Sequence, residues 1–303
     1  LNTLHSTILI IKIGYNEKPN TFILIQGGIK MSLITITSGI GSGAMPIART
    51  VAGGLKVELY DDQRLQQEAA KIGISSQELE GFDEKAPGLF DRLLSHKPET
   101  YLDLMGAVAY DIASRGEGVI LGHGTPWLLR DFGCALHVRL YASESSRIRY
   151  LMEQQGLNPE AAEKMIHKSD HERRGFLQFS FHMDWEDPSL FDLIINQDKL
   201  GADSSAKLIV EAARSSKIKE CSLTALDSME RLSLLKRVEA AILKNRISSL
   251  DFHIEVPEAG VVHITGSLNP LESEAHLLEV VKGVTGVIEV RSELVVPEIR
   301  DIG

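Results

Sequence analysis

Residues 34–50, ITITSGIGSGAMPIART, decide how the first two thirds of the chain fold. Ile34, Thr35, Ile36 and Thr37 are β-branched, and such a run fits a pleated strand better than a helix. The run ends at Ser38, glycines follow at 39, 41 and 43, and a helical pattern starts at Ala44. Glycines at such a junction let the backbone take positive φ and point successive N–H groups at one spot. The N-terminus of the following helix adds positive potential there. A tight strand–helix turn that binds nothing would read the same way, so on the loop alone both readings stand.

Against the phosphate-loop pattern G-x-x-x-x-G-K-[ST], three parts are missing. Ala44 stands at the lysine position and Met45 at the Ser/Thr position. Pro46 lacks an N–H, although proline suits the first helical turn. An anion held here would be held by main chain, with cationic side chains brought from elsewhere.

Outward from the loop, short β-rich runs alternate with amphipathic helical stretches. The strands are expected at 33–37, 56–60, 118–122, 135–141 and 191–195, and the helices at 44–53, 62–72, 87–95, 98–115, 143–155, 158–174 and 203–215. That alternation indicates βα units and an α/β fold with a parallel sheet. Residues 143–182 carry no strand signal and read as a helical lid outside the sheet.

A second module follows a composition change near 216–226. Leu232, Leu235, Val238 and Ile242 recur at helical spacing. In GVVHITGSL, Val262, Ile264 and Leu268 face one way and His263, Thr265 and Ser267 the other. A helix with Leu271, Ala275, Leu278 and Val281 on one stripe comes next. The last strand places Ile288, Val290, Leu294 and Val296 opposite Glu289, Arg291 and Glu293. This is a small α+β unit. The expected organisation is an extension at 1–30, a first domain at 31–217, a linker at 218–227 and a second domain at 228–300. Met31 is read as the start and 1–30 as an over-extended gene product; a frayed pair of N-terminal strands is the other reading.

The 303 residues carry a net charge of −10, so no chain-wide basic field exists to hold nucleic acid or an anionic membrane. No apolar run reaches the length of a transmembrane helix. The two cysteines, Cys134 and Cys221, lie far apart without C-x-x-C spacing, which favours reduced thiols in a cytoplasmic protein.

Four blocks occur in order over about residues 32–215: SLITITSGIGSGAMPIARTVA…VELYDD, GVILGHGTPWLLRDFGCALHVRLYAS, RIRYLMEQQGLNPEAAEKMIHKSDHERRGF and WEDPSLFDLIIN. Together they resemble the cytidylate-kinase-like family, P-loop nucleoside monophosphate kinase relatives. In that branch the loop commonly reads G-S-G-G-R-E, so the absent lysine is partly a family trait. Here Met45 replaces the arginine, Pro46 the glutamate, and His123 stands where G-R-G is usual. The resemblance implies ATP and Mg²⁺ as cofactors, a small-molecule nucleotide as partner, and phosphoryl transfer to CMP or a related monophosphate. A nucleotide-binding sensor with impaired catalysis is the alternative. The C-terminal G-x-V-x-I-x-G-x-L pattern (Gly260, Val262, Ile264, Gly266, Leu268) and GVTGVIEVRSELVV resemble a BON domain, a family associated with phospholipid or ligand binding.

Phosphoryl transfer needs positive charge and alignment around the migrating group. Arg147, Arg149, Arg173 and Arg174 of the lid and Arg130 are the available cations. In SDHERRG the resemblance matches D-x-x-R to Asp170 and Arg173, which share a helix face. The catalytic candidates are Arg173, Asp170 and Arg147, and the phosphate-binding set is Gly39, Gly41, Ser42, Gly43, Ala44 and Met45. Substrate contacts are assigned to Asp61, His123 and Arg130; for Asp61 a helix cap is the competing reading. His167 and His171 have metal-compatible spacing but no third ligand in the sequence pattern, so no metal is assigned to them. Trp185, Phe176, Phe179 and Phe181 are read as core before base-stacking groups, and Asn196 as lining the adenine side or as a loop cap.

Overall fold

The computed structural model describes residues 32–75, 98–122, 124–215, 222–248, 251–270 and 272–295. The expected extension, the helix at 87–95 and residues 218–221 of the expected linker lie outside them; from Leu223 that linker is already helical. The first unit runs β1 (Ser32–Ser38), α1 (Ala44–Leu55), β2 (Leu59–Tyr60), α2 (Asp62–Lys71), α3 (Pro98–Ala113), β3 (Glu117–Leu121) and α4 (Thr125–Leu128). It continues with β4 (Ala135–Tyr141), α5 (Glu144–Gln155), α6 (Pro159–Phe181), β5 (Leu193–Asn196) and α7 (Gln197–Ala213). Every pairing in its sheet is parallel, in the order β2-β3-β1-β4-β5. β1 therefore lies at the centre, and Leu33, Ile34 and Ile36 are wholly buried. Burial on both faces explains why β1, β3 and β4 read as apolar runs rather than strict alternations.

Among the boundaries that differ from expectation, two stand out. The strand predicted at 56–60 is reduced to two residues, because Lys56 takes the left-handed conformation that caps α1. The helix predicted at 158–174 runs on to Phe181. Cys134 is disulfide-bonded, which corrects the reduced-thiol reading. Distance along the sequence says nothing about distance in the folded chain. Among the described residues no helix is long and apolar enough to cross a membrane.

The second unit comprises α8 (Leu223–Lys244), β6 (Phe252–Glu258), β7 (Val261–Ser267), α9 (Glu274–Lys282) and β8 (Glu289–Val295). Its sheet is ordered β6-β7-β8, antiparallel then parallel. Val262, Ile264 and Leu268 are fully buried, as their alternation predicts. In α9 the buried stripe is Leu277 and Val281, whereas Ala275 is exposed and Leu278 half-buried. The predicted stripe was thus one position out of phase at its centre.

α8 joins the units. Leu234, Val238 and Ile242 enter the second core, while Ala240 packs into the first. Along α3, the Ser233 hydroxyl donates to the Ala107 carbonyl at 2.9 Å and the Lys236 ammonium to Asp103 at 3.0 Å.

Candidate functional site

The glycine turn keeps most of its main-chain donors. Gly41 (φ 79°) and Gly43 (φ 68°) are left-handed, a conformation that glycine adopts without strain. Ser42 closes the turn: its hydroxyl and its amide both donate to the Gly39 carbonyl, at 2.7 and 3.3 Å. Among the described residues the amides of Gly41 and Gly43 donate to no backbone acceptor. Those of Ala44 and Met45 open α1, where no carbonyl of the preceding turn exists to receive them. No side chain caps that helix.

This turn forms one wall of a cleft of about 300 Å³. Asp62 at the start of α2, and Tyr150, Ser169 and Arg173 from the lid, also line it. Arg173 donates to the Ser38 carbonyl at the end of β1. Its guanidinium carbon lies 5.7 Å from the centre of the buried Trp185 ring, and that of Arg139 lies 4.9 Å away. Trp185 is therefore a platform for two cations. Phe176 is buried too, whereas Phe179 is exposed.

Arg147 reaches the turn from the lid. Its Nε–H donates to the Ile40 carbonyl at 2.7 Å, and its two terminal nitrogens donate to the two Asp170 oxygens, each at 2.7 Å. The pair is bidentate and mostly buried. Arg147 and Asp170 thus tie α5, α6 and the turn to one another, and neither is among the residues that line the cleft. A Cβ at Gly39 would lie 2.7 Å from the Arg147 guanidinium carbon, and one at Gly41 2.8 Å from the Arg147 carbonyl oxygen. The lid helix is packed so closely that these glycines serve it as well as any ligand.

Other predicted residues separate. Asp61 caps α2, accepting from the Arg64 amide at 3.0 Å, and its neighbour Asp62 lines the cleft. Arg130 is on the surface beside Asp131 and Met183, away from the cleft-lining set. Arg149 and Arg174 are exposed and outside that set as well. His123 lies outside the described residues. Asn196 caps α7 by accepting from the Asp198 amide. His167 is joined by Glu144 and Glu163, not by His171, in an exposed group whose ligand atoms lie within 4.8 Å of one another. Glu144 comes from α5, so helical spacing along α6 gave no sign of it. The reading missed Tyr150, Ser169 and Arg139. Tyr150 follows Arg147 by three residues and Ser169 precedes Arg173 by four, so helical spacing from the chosen arginines would have found both.

Taken together, the open amides and the Arg173 guanidinium supply positive potential to a partly enclosed cleft, and Asp62 supplies the carboxylate. Such a cleft can hold a polyanion by its oxygens and keep a cation beside it.

The model of the cytidylate kinase-like family matches residues 33–199, more than half of the chain. A cytidylate kinase of Pyrobaculum arsenaticum is 27% identical over 183 residues, covering 60% of this chain and 92% of its own. One from Sulfurisphaera tokodaii is 28% identical, over 58% of this chain and 92% of its own. Among solved structures, an uncharacterized protein of Eubacterium ventriosum aligns over 60% of this chain and 98% of its own, with 22% identity and a TM-score of 0.47.

Proposed function

The chain belongs to the cytidylate kinase-like family, and on that premise we propose that it transfers a phosphoryl group from ATP to a nucleoside monophosphate, with CMP as acceptor. One observation carries the reading: unspent main-chain N–H groups of the glycine turn and the guanidinium of Arg173 line the same cleft. The names of the curated relatives supply the acceptor.

The chemistry asks little covalent work of the protein. A phosphate oxygen of the acceptor forms a bond to the terminal phosphorus of ATP, and the bond from that phosphorus to the bridging oxygen breaks. ADP leaves with that electron pair. The attacking oxygen is already anionic, so no side chain need remove a proton. Alignment and charge stabilisation are what remain.

The turn amides of Gly41, Gly43, Ala44 and Met45 hold phosphate oxygens without a lysine. Arg173 gives up the Ser38 carbonyl for the migrating group, while Trp185 keeps its plane oriented. Arg147 and Asp170 neutralise each other and fix the lid helices from which Arg173 projects. Among the described residues the cleft offers one carboxylate, Asp62, which fits a magnesium ion held mainly by phosphates and water. When bound, that ion would offset phosphate charge.

The C-terminal unit is proposed to be BON-like on its sequence pattern. The test of the main reading is direct assay of ATP with CMP, UMP, AMP, GMP and dCMP. Transfer to CMP is expected, with Arg173→Ala lowering kcat about 10²–10³-fold. No transfer to any acceptor overturns the proposal, and calorimetric nucleotide binding without transfer would point to a sensor instead.

A further inference from the structure

A second cavity lies away from the glycine turn, where the two units meet. Its volume is about 460 Å³, within the range of small-molecule sites. One wall comes from the first unit: Ile72, Gly73 and Ile74 just after α2, with Leu104 of α3. The opposite wall comes from α8, α9 and the residues just after α9, with Val280 and Val284 among its apolar part. Arg237, Lys244 and His276 line it too, with one acid among the described residues, Glu279.

Arg237 is the informative residue. Its Nε–H donates to the Ser233 carbonyl at 3.3 Å and one terminal nitrogen to the Thr285 carbonyl at 2.5 Å. Among the described residues no carboxylate lies within ion-pair distance of it. Burial works against its charge, and the more distant Asp111 and Glu230 offset this only in part. A partly buried guanidinium held by neutral carbonyls at the wall of a cavity is poised for an anion, which arginine binds through two parallel hydrogen bonds. The facing wall of Ile72, Ile74 and Leu104 suits an apolar body.

We propose that this cavity is a binding site for a small amphipathic anion, a carboxylate or phosphate monoester whose charged end rests on Arg237 and whose apolar body lies between Leu104 and Val280. The site does not depend on the kinase reading. It is nevertheless connected to the cleft: α2 begins at Asp62 in the cleft and ends at the Ile72–Ile74 wall. A ligand pressing on that wall acts on one end of a rigid ten-residue helix whose other end carries Asp62.

The experiment is calorimetry on the full chain without nucleotide, using hexyl phosphate, hexanoate, inorganic phosphate and hexanol as probes. At least one amphipathic anion is expected to bind at least ten-fold more tightly than hexanol and than inorganic phosphate. The preferred head group separates a phosphate ester from a carboxylic acid. Arg237→Gln should weaken that binding ten-fold or more. Val280→Trp, which fills the cavity and leaves Arg237 in place, should abolish it, and circular dichroism verifies the fold of each variant. Equal binding of hexanol, no binding of either amphipathic anion, or full binding by a folded Val280→Trp protein overturns the proposal. A nucleotide titration with the bound probe then reads the link through α2; unchanged nucleotide affinity removes that link and leaves the site.

Discussion

The guanidinium of Arg147 holds both carboxylate oxygens of Asp170 at 2.7 Å while its Nε–H reaches the carbonyl of Ile40. One side chain thus fastens two lid helices and the glycine turn. The charge of this arginine is paired with Asp170, and it is not among the residues that line the cleft. Among the described residues, the cation that lines the cleft is Arg173.

Asp170→Asn should leave the Arg147 guanidinium mostly buried without its counter-charge. The expected cost is about 2 kcal/mol, the range for hydrogen bonds to charged groups, read as a lower urea midpoint with an unchanged m-value. Turnover should fall too, because α6 carries Arg173. A variant with unaltered midpoint would show that the pair contributes no net stability.

Gly39→Ala and Gly41→Ala separate two kinds of crowding. At Gly39 the new methyl meets the movable end of Arg147, and φ is ordinary. At Gly41 it meets the Arg147 backbone carbonyl and must also take a left-handed φ. Gly41→Ala should therefore destabilise by about 1–3 kcal/mol and Gly39→Ala by less, measured by thermal melts. The reverse order would mean that the turn is looser than described.

Putting the missing side chains back, as Ala44→Lys with Met45→Ser, should raise kcat/KM for ATP about ten-fold or more if the turn cradles phosphates. Lysine would add a point charge and serine a hydroxyl for the metal ion. Steady-state kinetics at fixed CMP decides it; a double variant that folds and gains nothing argues that the phosphates lie elsewhere.

His137 predicts a pH dependence. Its Nε2–H donates to the Leu129 carbonyl at 3.2 Å, so in the neutral ring Nδ1 accepts from the Thr35 hydroxyl at 2.7 Å. Burial pushes its pKa below the ordinary value, and the neighbouring Asp192 offsets this only in part. The unfolded chain then binds the proton more readily than the folded one. Stability from this group is complete above about pH 6.5 and is lost as pH falls below it, at up to about 1.4 kcal/mol per pH unit. Denaturation at pH 7.5, 6 and 5 should show the fall, and His137→Gln should flatten it. Equal slopes would assign the effect to other groups.

Much of the scaffold was legible in the residues. Ile34–Thr37 against three spaced glycines marked β1, the turn and α1, and the alternation of Val262 and Ile264 found the inner face of β7. These signals are local: a strand repeats every two residues and a helix every 3.6. The same locality explains the errors. Asp61 and Asp62 are adjacent carboxylates, and only the register of α2 decides which one caps it and which faces the cleft. In α9 the buried residue is Leu277 rather than Leu278, because packing on α8 sets the rotation of the helix.

By itself, then, the sequence determined the elements, the glycine turn at the mouth of α1 and the absence of a lysine there. Tertiary structure decided the strand order, the coupling of Arg147 to Ile40 across more than a hundred residues, and the cavity between the units. The reason is physical. Periodicity fixes which face of an element is apolar, whereas neutralising a buried charge or closing a cavity depends on which distant element arrives opposite it, and no local pattern encodes that partner.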